Sequence, residues 1–231
     1  MAARAWTLAA HDMRLQWRYG IYVAYGFVLV LYIGILAGVG SHLPAWVPAV
    51  IIFTDPAALG FFFLGALMML EKAEGVTTAL AVAPLAPADY FIAKCATLTA
   101  VALIACVILL LFIHRPADPA LLFLTVALTS IQYIGVGVPM ALRFNTVSAY
   151  LIGSGALLTP LIAPGLLALA DGLPQPFLLI PAVAQLRLML VTTGAASATG
   201  GEIALCLSVC LAAAAGAVWL AVKTLAREFG R

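Results

Sequence analysis

The segment Glu71–Lys94, EKAEGVTTALAVAPLAPADYFIAK, gathers Glu71, Lys72, Glu74, Asp89 and Lys94 in one polar insert of a chain that is only 9% charged. Charges of both signs concentrated in this way offer salt bridges to another surface. Exposed ion pairs contribute little one at a time, so Leu80, Val82 and Leu85 are expected to supply contact area beside them. Gly75 and the stretch from Pro84 to Pro87 permit sharp changes of chain direction. The insert runs directly into a long apolar stretch at either end. An element that passes movement from a soluble partner into membrane helices needs that continuity. An ordinary connecting loop is the simpler alternative.

Other chemistry is missing from the sequence. There is no GxxxxGK followed by Ser or Thr to cradle a nucleotide triphosphate, and no GxSxG, HExxH or CxxC. The three histidines, His11, His42 and His114, fall in separate segments, so a shared metal site is not expected. Cys95, Cys106, Cys206 and Cys210 lie within or at the ends of apolar runs and read as small packing residues. No catalytic role is assigned, and the energy source, if transport is active, has to come from elsewhere.

The elements around the insert are those of an integral membrane protein. Hydrophobic residues make up 65% of 231 residues and mean hydropathy is +1.17, far above the roughly half-apolar composition of soluble domains. Runs long enough to cross the ~30 Å hydrocarbon layer as helices occur at about 21–40, 55–70 (or 47–70), 95–113, 120–142, 147–170 and 202–222. The runs are continuous rather than alternating, which excludes a transmembrane barrel. The predicted fold is a single all-α membrane domain, 1–231, with six spans. A cleavable leader is not expected, because no small-residue cleavage site follows the first run. With the N-terminus inside, nine of the 11 Lys and Arg residues fall on inner segments and only Arg115 and Arg187 on outer ones. The positive-inside rule then places both termini and the insert in the cytoplasm. The small net charge of +2 gives no reason to expect a nucleic-acid partner.

Residues 4–19 read as an amphipathic helix lying in the inner interface. Trp6, Ala9, Ala10, Met13 and Trp17 recur at helical spacing, with Arg4, His11, Arg14 and Arg18 on another side. Gly34 and Gly38 form a GxxxG pair suited to close helix packing. Asp55-Pro56 reads as a cap and first helical residue, which starts the second span near Asp55 and leaves 43–53 as an outer or partly inserted segment. The long connection 171–201 carries an apolar stretch at 177–192, too short for a span, and reads as re-entrant from the outer side. Thr199-Gly-Gly-Glu202 fits a capping box, so Thr199 and Glu202 join Asp55 as structural caps. Inside the spans Phe61, Phe62, Phe63, Met68, Gln132 and Tyr133 are the candidate pathway residues, an adaptable aromatic and Met surface for a flat apolar ligand. Ordinary helix packing is the alternative for each of them.

The order Glu71-x-x-Glu74-Gly75, Pro84 nine residues on and Lys94 ten beyond resembles ABC-2-type permeases, the membrane halves of one class of ATP-driven exporters. DPxxxGFFF ahead of Glu71-Lys72 resembles the drug-exporting members, of the fluoroquinolone-export kind. The resemblance departs at Val76, where Thr is common after the Gly, and Thr77 and Thr78 follow instead. It implies that Glu71, Lys72, Glu74, Gly75, Leu80, Pro84 and Lys94 belong to a coupling helix touching an ABC ATPase subunit. It also implies a second permease half, identical or homologous, in the same lipid bilayer, with ATP and Mg bound by the ATPase and no cofactor on this chain. The expected function is a permease subunit in the inner (cytoplasmic) membrane that exports a hydrophobic or amphipathic drug-like compound. A lipid or haem-related permease and a secondary transporter or channel half are the alternatives.

Overall fold

A computed structural model of the chain describes residues 2–39, 42–76, 86–113, 118–170 and 172–229. The regular elements among them are all helical. Helix α1 covers Ala2–Arg18 and α2 Ile21–Val39. Helix α3, Val47–Ala58, passes through a π-helical turn, Leu59–Phe63, into α4, Leu64–Ala73. Then follow α5, Pro87–Leu110, α6, Pro119–Arg143, and α7, Val147–Ile162. Two short 3-10 pieces, Ala163–Leu169 and Gln175–Leu179, lead to α8, Pro181–Thr192, and α9 is Gly200–Glu228. Among the described residues six helical stretches are long and apolar enough to cross a membrane: Ile21–Gly38, Val47–Ala73, Pro87–Leu110, Pro119–Arg143, Val147–Leu169 and Gly200–Glu228.

Local chemistry explains most of the boundaries. Asp118 caps α6 by accepting from the Leu121 N–H, with Pro119 opening the first turn; Thr146 caps α7 and Thr199 caps α9 through the Ala149 and Glu202 N–H groups. Gly75 follows α4 with φ +74°, a conformation that only glycine enters without steric cost.

Sequence and structure differ at the second span. Its helix begins at Val47 with Pro48 in the first turn, so the longer of the two expected ranges is the observed one. Asp55 and Pro56 lie inside α3, and Asp55 is not a cap. Its carboxylate is 4% exposed and accepts the Tyr25 hydroxyl of α2 at 2.6 Å. The capping pattern fails because α3 already supplies N–H partners from the preceding turn, and a buried carboxylate takes the nearest strong donor instead.

The second span and α6 form the centre, each with 67% of its apolar window buried, while α2 has 17% and α7 and α9 have 22%. Close contacts at the centre need residues without side chains. A Cβ on Gly60 would stand 2.7 Å from the Ile134 nitrogen, and one on Gly135 would stand 2.7 Å from the Ala217 backbone. Helix α8 has 12 residues, about 18 Å, too short for ~30 Å of hydrocarbon. It enters the bundle beside α6. The Asp118 N–H donates to the Thr192 carbonyl at 3.3 Å, and Gln185 Nε2 donates to Gln132 Oε1 at 2.7 Å, much deeper along α6.

Candidate functional site

Among the described residues the densest group of charged side chains lies where α1, α4 and α5 meet. Lys94 of α5 is 1% exposed, and its ammonium contacts Asp12 Oδ1 at 2.5 Å and Glu71 Oε1. The Tyr90 hydroxyl donates to the other Glu71 oxygen at 2.6 Å. Thr97 lies 3.3 Å from Asp12 Oδ2 and accepts from Gln16 Nε2 at 3.1 Å. Each contact follows from helical spacing. Tyr90, Lys94 and Thr97 recur every three or four residues on one face of α5, and Asp12 and Gln16 do the same on α1. Phe229, beyond α9, closes the group by meeting the Tyr90 ring edge-on at 6.1 Å.

Two carboxylates share one ammonium here, so the ionised cluster carries a net negative charge in a dry setting. Burial pushes the Asp12 carboxyl above the ordinary 3.8, and the Glu71 charge adds to that, while Lys94 opposes it. Removing Lys94 would leave two buried carboxylates without their cation, the costly case for an internal ion pair, whereas removing one carboxylate leaves a balanced pair. The network therefore fixes α1 against the base of both arms that lead into residues 77–85.

This geometry corrects part of the sequence reading. Glu71 and Lys94 are turned inward and are not free to pair with a partner surface, because α1 covers them. Lys72 and Glu74 are exposed. Lys72 Nζ donates to Asn145 Oδ1 at 2.9 Å, and Glu74 accepts the Tyr19 hydroxyl and pairs with Arg18 at 3.4 Å. The hydrogen bond to Glu74 raises the Tyr19 phenol above its ordinary 10.0. Gly75 ends α4, and Leu80 and Pro84 lie outside the described residues. Along α1 the buried face is Ala9, Asp12, Leu15 and Gln16, whereas Met13 and Trp17 of the apolar stripe are 47% and 77% exposed.

The aromatic pathway candidates pack against one another. Phe61 and Tyr133 are fully buried with ring centroids 6.3 Å apart, Met68 is buried among Leu64 and Tyr90, and Phe62 and Phe63 are half-buried. Phe63 meets Tyr25 edge-on. The Tyr150 hydroxyl of α7 donates to the Phe61 carbonyl in the π-helical turn, where a wider helix leaves a carbonyl free. Gln132 holds Gln185, and the buried Ser130 hydroxyl and Gln185 Oε1 have no partner among the described residues. An apolar groove of about 460 Å³ opens on the flank of the bundle, lined by Ile92, Cys95, Leu103, Ile131 and Val218.

The opposite end of α9 carries a different site. Thr199 caps the helix, but the Glu202 carboxylate does not complete the capping box; it accepts Arg187 Nε at 2.6 Å. The pair borders a cavity of about 770 Å³ with Ser197, Thr199, Leu178 and Leu205 in its wall.

Sequence reasoning missed Asp12, Gln16, Tyr90 and Thr97 as members of the charged cluster. Asp12 carried a usable signal, since it is the one acid in α1; the tyrosine, threonine and glutamine had none.

Residues 3–229 match the profile of the fluoroquinolones export permease protein family. Relatives named fluoroquinolones export permease protein, from two strains of Mycobacterium tuberculosis, are 26% identical over 180 residues, covering 77% of this chain and 76% of theirs.

Proposed function

This chain belongs to the fluoroquinolones export permease protein family, and from that membership we propose that it is the membrane subunit of an ATP-driven exporter of the ABC-2 type. In this reading residues 71–94 contact a separate ABC ATPase, which binds ATP and Mg, and a second permease half completes the unit. Both termini and the 71–94 segment lie in the cytoplasm, with α1 in the inner interface of the cytoplasmic membrane and its Met13 and Trp17 side chains in lipid. The transported compound is hydrophobic or amphipathic and drug-like, entering sideways from the bilayer.

The observation that carries this reading is the buried contact between Lys94, Glu71 and Asp12. It joins the helices on both sides of residues 77–85 to each other and to α1. A push on that segment therefore moves three elements together rather than bending a loop. The flank groove, lined by apolar residues apart from Thr99, supports lateral entry.

Two measurements test the reading. The purified chain should show no ATP hydrolysis and should gain it only in complex with an ATPase subunit; hydrolysis by the chain alone, free of contaminating subunits, overturns the assignment. Cells expressing the complex should accumulate less of at least one hydrophobic drug than cells with a hydrolysis-dead ATPase. Equal accumulation across a broad panel of apolar drugs rules out drug export.

A further inference from the structure

Tyr150 joins the turn between α6 and α7 to the middle of the second span, and the export reading has so far given it no part. It lies in the first turn of α7 and is fully buried. Phe144, at the end of α6, meets its ring edge-on at 5.9 Å. A Cβ on Gly153 would run into the Phe144 ring, and one on Gly65 of α4 would run into the Tyr150 ring. The two rings fill the space these glycines leave, so a displacement of one pushes the other. At its far end the Tyr150 hydroxyl donates to the Phe61 carbonyl.

That acceptor sits on an irregular stretch of helix. The Leu64 N–H closing the π-helical turn Leu59–Phe63 is divided between the Leu59 carbonyl, five residues back, and the Phe61 carbonyl, three residues back. A π turn holds an extra residue relative to the α-helix around it. Passing that residue to the neighbouring turn rotates one side of the helix by about 100° relative to the other. Such a shift re-aims Phe61, whose ring now stands 6.3 Å from that of Tyr133 at the centre of the bundle. A donor from another helix on the Phe61 carbonyl biases where the extra residue sits. Buried tyrosines find an acceptor as a rule, but the equally buried Tyr133 hydroxyl has none among the described residues.

We propose that Tyr150 is a positioning residue of the transport cycle. Its hydroxyl holds the π-helical turn in the present register, and movement of the α6–α7 turn withdraws it and lets the turn shift. This role rests on the export reading and deepens it, adding a second route from the ATPase to the centre of the bundle. The α6–α7 turn is well placed to take up a load, because Asn145 accepts Lys72 Nζ at 2.9 Å and so stands beside the segment 71–94.

The test uses the full chain in lipid bilayers with phenylalanine carrying carbonyl 13C and amide 15N. Only the Phe61–Phe62 and Phe62–Phe63 bonds join two labelled residues, so a 13C–15N correlation in solid-state NMR isolates the Phe61 and Phe62 carbonyls. Tyr150→Phe should shift the Phe61 resonance. Phe144→Leu, on the other side of the Tyr150 ring, should shift it too, and should have no effect once Tyr150 is Phe. A hydrogen bond that only stabilises the fold predicts the first shift without the second, and a Phe61 resonance indifferent to Phe144→Leu overturns the proposal. In complex with the ATPase, Tyr150→Phe should lower drug transported per ATP hydrolysed by about two- to tenfold. An unchanged ratio also overturns it. The unaltered complex gives a check that needs no substitution: trapping with ATP and vanadate should move the Phe61 resonance, and identical spectra with and without trapping count against the relay. Failure of the export reading is read separately, as an unaltered complex that neither hydrolyses ATP nor moves drug while Phe144→Leu still shifts Phe61 in the isolated chain.

Discussion

Glu71 and Lys94, 23 positions apart, form an ion pair with side chains only 3% and 1% exposed, one at the end of α4 and the other near the start of α5. The pair closes the base of the segment between them, and Asp12 of α1 shares its ammonium. Charges that looked available to a partner in the sequence instead fasten α1, α4 and α5 to one another.

Lys94→Met should be the most damaging single change in this region. It leaves Asp12 and Glu71 buried without their cation, a loss of about 3–5 kcal/mol by comparison with other broken internal pairs. Glu71→Gln keeps a hydrogen-bonding group beside Tyr90 and Lys94 and removes one of two carboxylates, so it should cost less. Thermal unfolding of the detergent-solubilised chain, followed by size-exclusion, should place Lys94→Met well below Glu71→Gln. The reverse order would show that Lys94 is not the hub.

Acid should tighten the docking of α1. The folded Asp12 carboxyl is raised above its ordinary 3.8, chiefly by burial. The fold therefore favours its neutral form, and the stabilisation from protonation is fully present below 3.8 and is lost as pH rises through the raised folded value. One proton also brings the cluster with Glu71 and Lys94 to neutrality. Hydrogen exchange of the α1 amides, corrected for intrinsic rates, should slow as pH falls through that window. Asp12→Asn should flatten the dependence, and an unchanged slope in that variant would assign the effect elsewhere.

The six spans were legible because apolar length alone specifies them. The connection after the fifth span was legible as holding an apolar segment too short to span, and its helix is Pro181–Thr192. Side-chain partners were not, since they depend on which helices meet. Asp55-Pro56 gives the same local signal at a helix start and inside a helix, and only the Tyr25 hydroxyl from another helix decides between them. Glu71 and Lys94 read as solvated because nothing in 71–94 reveals that α1 lies over them. Glu202 and Arg187 each drew notice in the sequence, yet their pairing needed α8 to turn back beside α9. The π-helical turn left no trace beyond the Gly60-Phe-Phe-Phe63 pattern, whose glycine fits the backbone of α6.

Gly65 and Tyr150 are complementary. A Cβ at Gly65 would run into the Tyr150 ring, and that ring is fully buried with its hydroxyl on the Phe61 carbonyl. Gly65→Ala should cost at least about 1–3 kcal/mol through overpacking, and Tyr150→Phe about 1 kcal/mol through the lost hydrogen bond. Combining Gly65→Ala with Tyr150→Leu should recover part of the loss by making room. Unfolding midpoints of Gly65→Ala, Tyr150→Leu and their combination check this, and a purely additive double variant would show that the clash is relieved elsewhere.

Lys72 and Glu74 are the charges of the polar insert that remain exposed, so they, rather than Glu71, should govern contact with an ATPase subunit. Their present partners, Asn145 for Lys72 and Tyr19 and Arg18 for Glu74, lie at the surface. Such contacts contribute little to folding. Reversing both charges, Lys72→Glu with Glu74→Lys, should leave the unfolding midpoint of the isolated chain nearly unchanged, within about 0.5 kcal/mol. It should nonetheless weaken co-purification with the ATPase and lower drug-stimulated hydrolysis, because like charges placed across an interface oppose association. Glu71→Lys would instead put a second cation beside Lys94 and should unfold the base of the segment before any partner is added. Comparing the two variants for midpoint and for ATPase recovery separates a contact role from a structural one. Full recovery of the ATPase with both exposed charges reversed would remove Lys72 and Glu74 from the interface and leave residues 77–85 to make it.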